Sequence, residues 1–408
     1  MQAFLGAMIL ANIAGEMHWS FLPLYLQSLG ADVGKIGLFF TLSALMPLAL
    51  QILGGWMSDS VGRLQAIAFG SLMGVLSYVV ILSAPSWQWL LLAMAASSLC
   101  GAFVAPSYQA FIAEQSTEQT RGRVYGLVEG LYAVVGVVGP PIGGYLAERF
   151  SFRLMFGVAA GLYLTATVIR LAMARGARRA EAAADVRRER PSLKGLRTNL
   201  AAMGGLILAG GLVTWIMLAD GVRDIAFSLS RQLEPLYMQN VAGLSTSQIG
   251  WLVSIASFTT MVIMMPAGWL SDKKGERVGI VAGFFIVAAG LLVFVNSRAF
   301  AGFAVAWGLY GLGDALIRPA YNALISKAVP ERLRGTAFGL FSTSLGFMSL
   351  PAPYIGALLW QRFGPAVPFY VPMVALLALL PVMWAKFKLP AAPARHSDLP
   401  ATAEAVVN

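Results

Sequence analysis

Charged side chains occur inside a stretch of the chain that is otherwise apolar. Between residues 213 and 238 lie Asp220, Arg223, Asp224, Arg231 and Glu234. Spacings of three and four residues place them on one stripe of a helix, where opposite charges can pair. A charged group at the centre of a membrane helix costs at least about 2.5–3.5 kcal/mol, so such groups usually face a protein interior or water. Asp220, Arg223 and Asp224 are therefore candidates for substrate binding or proton coupling.

A second charged pair, Asp314 and Arg318, lies one helical turn apart in the apolar stretch 300–326. We expect Trp307, Tyr321 and Asn322, on the same stripe, to line a cavity. The pair is either a permanent structural ion pair or a functional site. Buried ion pairs add little net stability compared with apolar packing, which favours a functional role. Asp224 and Asp314 are the best-placed acids, because Arg223 and Arg318 lie near them.

The first half of the chain has fewer intramembrane charges. Glu16 shares one helix face with Asn12 and is a candidate proton or cation site. In the stretch 87–112, Ser97, Tyr108 and Gln109 carry neutral hydrogen-bonding groups, and we expect them to line a cavity.

The overall composition predicts which secondary-structure elements carry these residues. Hydrophobic residues make up 58% of the 408 residues, charged residues 12%, and the mean hydropathy is +0.72. This is the composition of an integral membrane protein. Stretches of about 20 apolar residues, enough to cross the hydrocarbon core as a helix, predict twelve transmembrane helices near 3–27, 33–56, 65–84, 87–112, 124–147, 152–173, 213–238, 246–270, 278–296, 300–326, 336–360 and 366–387. The predicted fold class is all-α.

The distribution of cations predicts the orientation. Lys and Arg concentrate in the loops on the side of both termini, including Arg63, Arg121, Lys273 and Lys327, whereas the opposite loops hold few. By the positive-inside rule, both termini are cytoplasmic, and the protein is expected in the cell membrane.

The chain also contains an internal duplication. "GWMSDSVGR" at 55–63 is repeated as "GWLSDKKGE" at 268–276, and "PLYLQSLGADVGKIG" at 23–37 as "PLYMQNVAGLSTSQIG" at 235–250. An even number of helices separates the copies, so the halves have parallel orientation, as in transporters with a substrate site between the repeats. The predicted domains are six-helix bundles at 1–173 and 201–388, a basic cytoplasmic linker at 174–200 and a disordered tail at 389–408.

The repeated loop resembles the loop signature of the major facilitator superfamily, and the resemblance covers the whole chain. The matching residues are Gly55, Asp59, Gly62 and Arg63 in the first copy and Gly268, Asp272, Lys273 and Gly275 in the second. Leu64 and Glu276 depart from the usual basic residues. The resemblance implies that these loops act as a conformational latch, and that helices 1, 4, 7 and 10 line a central cavity. A purely structural turn would also require the glycines.

A second resemblance concerns the fifth helix. "GPPIGG", with Gly139, Pro140, Gly143 and Gly144, is similar to a motif of proton-driven drug antiporters with twelve helices. Close helix packing is the alternative role for these small residues. Ser97 stands where those exporters usually carry an arginine, which weighs against the antiporter interpretation.

No phosphate-binding loop, His/Cys metal cluster or separately folding soluble segment occurs in the sequence. We therefore expect no catalytic residue, no cofactor, no metal and no nucleic-acid partner. The predicted function is secondary transport by alternating access, as a proton-coupled exporter of a small molecule. The protein is expected to be a monomer in contact with membrane lipid. An uptake symporter or facilitator for a polar metabolite, and a non-transporting sensor or scaffold, remain alternatives.

Overall fold

The computed structural model describes residues 2–114, 116, 121–184, 211–329 and 346–387. Within these ranges the regular elements are helices, joined by short turns. The helices are α1 Gln2–Glu16, α2 Leu22–Ser28, α3 Val33–Val61, α4 Arg63–Ser83, α5 Trp89–Glu114, α6 Arg121–Arg149, α7 Phe152–Ala184, α8 Leu212–Ser230, α9 Glu234–Asn240, α10 Thr246–Lys274, α11 Glu276–Asn296, α12 Phe300–Ala328, α13 Gly346–Ser349, α14 Ala352–Phe363 and α15 Val367–Lys386.

These helices fall on the predicted spans. Eight of the described helices are long and apolar enough to cross a membrane by themselves. The first and seventh spans are each built from two helices in succession, and the described part of the eleventh consists of α13 and α14. The all-α, multi-helix membrane fold predicted from composition is therefore confirmed.

The backbone repeats itself between the two halves. A 3₁₀ turn at Trp19–Phe21 separates α1 from α2, and the corresponding turn at Arg231–Leu233 separates α8 from α9. A proline follows each turn in the first residues of the next helix, Pro23 and Pro235, where its missing N–H is tolerated. The duplication in sequence is thus also a duplication of helix breaks.

Most helix packing occurs inside each half. In the first half α5 packs on α3 and α4, and α7 packs on α1 and α4. In the second half α12 packs on α10 and α11, while α15 packs on α8 and α11. Helix α7 continues to Ala184, into the range predicted as linker. The rest of that linker and the tail at 389–408 lie outside the described residues, so the domain boundaries remain a prediction.

The two halves meet through α6 with α10 and through α3 with α14. Many of the polar contacts between them lie at the end of the bundle where the chain turns at 29–32, 150–151, 241–245 and 364–366, here called the closed end. At this end Ser247 N donates to Glu148 at 2.7 Å, and about 12 Å deeper Tyr354 N donates to the Thr41 hydroxyl at 3.2 Å. The charged candidates of α8 and α12 lie deeper in the bundle than these contacts.

Candidate functional site

A cavity of about 530 Å³ in the second half collects most of the predicted charged residues. Helix α8 contributes Asp220, Arg223 and Asp224, and α12 contributes Asp314 and Arg318. Tyr321 and Asn322 also line it, as predicted, together with Phe227, Arg231 and Tyr310. The lining contains three aspartates and three arginines, so its formal net charge is zero. The wall therefore presents hydrogen-bond donors and acceptors without a strong preference for one sign of charge.

Two ion pairs organise the cavity wall. Arg223 Nη2 lies 2.6 Å from Asp220 Oδ1, and Arg318 Nε lies 2.7 Å from Asp314 Oδ2. The first pair is the more buried, with side-chain exposures of 29% and 13% against 66% and 28% for the second. The pairing of Asp314 with Arg318 was expected from their one-turn spacing.

The partner of Arg223 differs from the expectation. Arg223 pairs with Asp220, three residues before it, and not with the adjacent Asp224. Neighbouring residues in a helix point about 100° apart, so they do not face each other. The guanidinium also lies 5.6 Å from the ring centroid of Tyr321. Asp224 is exposed on the same cavity wall.

Trp307 is not part of this wall. It lies about two helical turns from Asp314, roughly 10 Å along α12, and borders a separate small cavity with Glu234, Tyr310 and Phe294. Its indole Nε1 is buried and has no hydrogen-bond partner. Helical periodicity predicted that Trp307 shares a face with Asp314, but periodicity gives no information on depth along the helix.

The first half contains a cavity of about 950 Å³. The predicted residues Asn12, Tyr108 and Gln109 line it. Glu16 and Ser97 belong to neither of the two large cavity linings. Glu16 ends α1, and its Cβ lies against Gly139 of α6. The roles predicted for Glu16 and Ser97 thus have no support from the cavity geometry.

Sequence reasoning missed Arg170, Tyr132 and Tyr163, which also line the first-half cavity. Arg170 lies three residues before the predicted end of its span at 173, and no role was predicted for it from the sequence. An arginine flanked by "TVI" and "LAM" was the available clue.

The predicted latch loops are described in part. Gly62 and Gly275 form the turns after α3 and α10 with φ of 112° and 89°, a conformation that L side chains rarely adopt. The side chains of Asp59 and Asp272, and any contact they make, lie outside the described residues, as does the surrounding of Gly55. Gly268 is in the interior of α10 with open space beside it, and Lys273 lies 4.8 Å from the Trp269 ring centroid.

Two residues flanking the second loop bind within their own half. Glu276, where the resemblance leads one to expect a basic residue, forms an ion pair with Lys327 at the end of α12. Arg277 donates to the Trp384 carbonyl at 3.0 Å and stacks on its ring. Glu276, which departs from the family pattern, therefore connects the start of α11 to the end of α12 through this ion pair. Arg63, at the corresponding position of the first half, also has an interaction partner.

The glycines of the fifth-helix motif lie at backbone contacts. A Cβ on Gly143 would collide with the Met17 carbonyl, and one on Gly144 would lie 2.6 Å from the Thr246 carbonyl oxygen. The carbonyl oxygen of Pro140 lies against Gly250 of α10. The motif thus packs against both the first span and the second half, as the packing alternative requires.

Comparison with known proteins agrees with this architecture. The family model described as Major Facilitator Superfamily matches residues 4–230 and 216–407. The chain is 26% identical over 409 residues to the multidrug resistance protein MdtG of Serratia proteamaculans, covering 97% of this chain and 95% of that protein. It is 26% identical to the multi-drug resistance efflux pump PmrA homolog of Lactococcus lactis, covering 81% of each.

Among solved structures, the peptide transporter POT in complex with sulfate superposes with a TM-score of 0.69. The match covers 95% of each chain at 14% sequence identity. At that identity the likeness concerns the fold alone.

Proposed function

Because this chain belongs to the Major Facilitator Superfamily, we propose that it is a secondary transporter that exports a small molecule in exchange for protons. Two similar proteins, MdtG and the PmrA homolog, are described as multidrug resistance and efflux proteins, which supports the direction of transport. The protein acts as a monomer in the cell membrane with both termini in the cytoplasm, and carries out no catalysis.

The observation that carries the proposal is the cavity between α8 and α12. Its acids Asp224 and Asp314 share a cavity wall with three arginines inside a membrane protein, where charged side chains are costly and usually functional. Arg318 is two-thirds exposed in its pair with Asp314, so its guanidinium can exchange the carboxylate for a substrate group or water. Such an exchange changes the proton affinity of the acid between conformations and links proton movement to transport.

The contacts at the closed end support alternating access. With the orientation predicted from the cations, the closed end faces outside, and the described state is inward-facing. Export then requires the contacts of α6 with α10 and of α3 with α14 to separate while the opposite ends approach. The latch loops around Gly62 and Gly275 lie at that opposite end and would meet in the other state.

Proteoliposomes loaded with a pH-sensitive dye test this proposal. Compounds from a panel of drugs and polar metabolites are added outside, at two pH values, with protein-free liposomes as the control. Antiport makes the lumen alkaline because protons leave as the compound enters. Symport makes it acidic, and a facilitator moves compound without a pH change; either result, or no movement of any compound, would contradict the proposal.

A further inference from the structure

We propose that Arg170 binds an anionic group of the transported molecule, so that the substrate class is a small amphipathic organic anion or zwitterion. This inference rests on the proposed transport function and names the chemistry of the substrate. It concerns the cavity of the first half, lined by α1, α5, α6 and α7.

Arg170 is held in place by neutral groups. Its side chain is buried, with 6% of its surface exposed. Nη1 donates to the Ser71 hydroxyl at 2.9 Å, and Ser71 in turn donates to the Ile67 carbonyl at 2.7 Å. The guanidinium carbon lies 5.9 Å from the ring centroid of Tyr163. These contacts orient the guanidinium and use one of its five N–H donors.

No carboxylate neutralises this charge in the described parts of the chain. The ion pairs found there join Lys35 to Asp32 and three further pairs in the second half. Glu129, one turn before Tyr132 on α6, is exposed, and none of the described ion pairs joins it to Arg170. A buried charge without a counter-charge is costly, so its retention needs a reason.

The cavity around Arg170 suits an organic anion. Hydroxyl and amide groups come from Tyr108, Tyr132, Asn12 and Gln109, whereas Met8 and Val104 supply apolar surface. A volume of about 950 Å³ accommodates a drug-sized molecule. A guanidinium binds carboxylate, sulfonate or phosphonate oxygens through paired N–H donors, and the apolar wall accepts the rest of the molecule.

The two large cavities differ in charge. In the second half three arginines face three aspartates, whereas the lining of the first-half cavity has Arg170 and no acid. An anionic group is therefore favoured at Arg170, whereas the balanced charges of the second-half cavity give no such preference.

The test measures binding to the purified full-length protein in detergent from the shift of its melting temperature, which depends on ligand concentration and Kd. The probes are naphthalenesulfonate and naphthoate, which are anions, and naphthalenesulfonamide, a neutral molecule with the same ring. The variants are Arg170→Gln and Arg170→Lys. Arg175→Gln is the matched control, because Arg175 is an exposed arginine on the same helix.

We expect both anions to stabilise the wild type and Arg175→Gln, and to bind about 10- to 100-fold more weakly to Arg170→Gln, the loss typical of a charged hydrogen-bonded partner. Arg170→Lys should retain part of the affinity, since it keeps the charge without the paired donors. The sulfonamide should show no dependence on residue 170. Without a ligand, Arg170→Gln should melt no lower than Arg170→Lys, because no ion pair is lost.

The inference is wrong if neither anion binds the wild type, or if Arg170→Gln binds anions as tightly as Arg175→Gln does. An equal loss for anions and sulfonamide would also contradict it, because that result indicates altered cavity shape. Failure of proton-coupled flux with Arg170-dependent anion binding intact would instead reject the proposed function alone. Proton antiport of substrates that lack an anionic group, unchanged in Arg170→Gln, would reject only this inference.

Discussion

Gly250 of α10 lies directly against the carbonyl oxygen of Pro140 in α6, so closely that a Cβ on residue 250 would be 2.5 Å from that oxygen. The corresponding pair of the internal repeat is Gly37 and Pro353, where the same distance would be 2.7 Å. Both contacts join one half of the molecule to the other near the closed end. Glycine is required at both positions because the backbones of two helices touch.

Gly250→Ala should therefore weaken the closed end. The added methyl group cannot fit unless α6 and α10 separate, so the population shifts toward conformations in which that end is open. Spin labels at Gln27 and Asn240, which hydrogen-bond across the closed end at 3.3 Å, measure the separation. Gly161→Ala in α7 is the control, because nothing lies within 4 Å of a Cβ there. Identical label distances in both variants would show that this contact does not limit opening.

Asp314→Asn should abolish flux driven by a pH gradient while substrate binding or exchange persists. The amide keeps the size and hydrogen-bonding capacity of the carboxyl group but cannot carry the proton. Its cost in stability should be within about 1 kcal/mol, because the pair with Arg318 is partly exposed to the cavity. Asp32→Asn is the matched control: Asp32 pairs with Lys35 in an exposed loop, where the hydrogen bond from Lys35 holds the pKa of the carboxyl below its usual range.

The opposite outcome is a purely structural role for Asp314. In that case Asp314→Asn lowers the melting temperature, and adding Arg318→Gln restores both stability and pH-driven transport. That rescue would remove Asp314 from the coupling mechanism.

Asp220→Asn and Asp224→Asn should have different effects, although one helical turn separates them. Asp220 neutralises the partly buried Arg223, so its loss should lower the stability of the folded state by about 1–3 kcal/mol. Asp224 is exposed in the cavity, so its replacement should spare stability and shift the pH optimum of transport. Thermal melting of the two variants, together with flux measured across a pH series, separates these effects. Equal melting temperatures would indicate that the pair of Asp220 and Arg223 is not a stabilising contact.

The predicted orientation can be tested by cysteine labelling after Cys100→Ser removes the native thiol. Cysteines at Lys274 and Asn296, both exposed and at opposite ends of adjacent helices, should be labelled only from the cytoplasm and only from outside, respectively. The neighbouring turn residue Gly275 is not used for labelling, because its φ of 89° would strain a cysteine. Reversed labelling would overturn the orientation, and with it the assignment of an inward-facing state.

The sequence by itself determined the properties that depend on local composition and periodicity. Apolar stretches of membrane length predicted the helices, since the bilayer permits few alternatives. The repeat predicted two halves of similar structure, whereas the matching helix breaks at Trp19–Phe21 and Arg231–Leu233 interrupt spans that were predicted as continuous. Helical spacing also placed Asp220, Arg223 and Asp314 on faces that line a cavity.

Only the tertiary structure decided which of these residues meet and at what depth. The contact of Arg170 with Ser71 joins residues 99 positions apart, and no local pattern encodes it. Trp307 has the periodicity of a cavity residue but lies beside Glu234, because helix rotation and height are set by packing against neighbours. The sequence likewise shows that the residues of the fifth-helix motif are small. Which carbonyl each glycine contacts, such as that of Thr246 for Gly144, depends on how two helices distant in sequence cross.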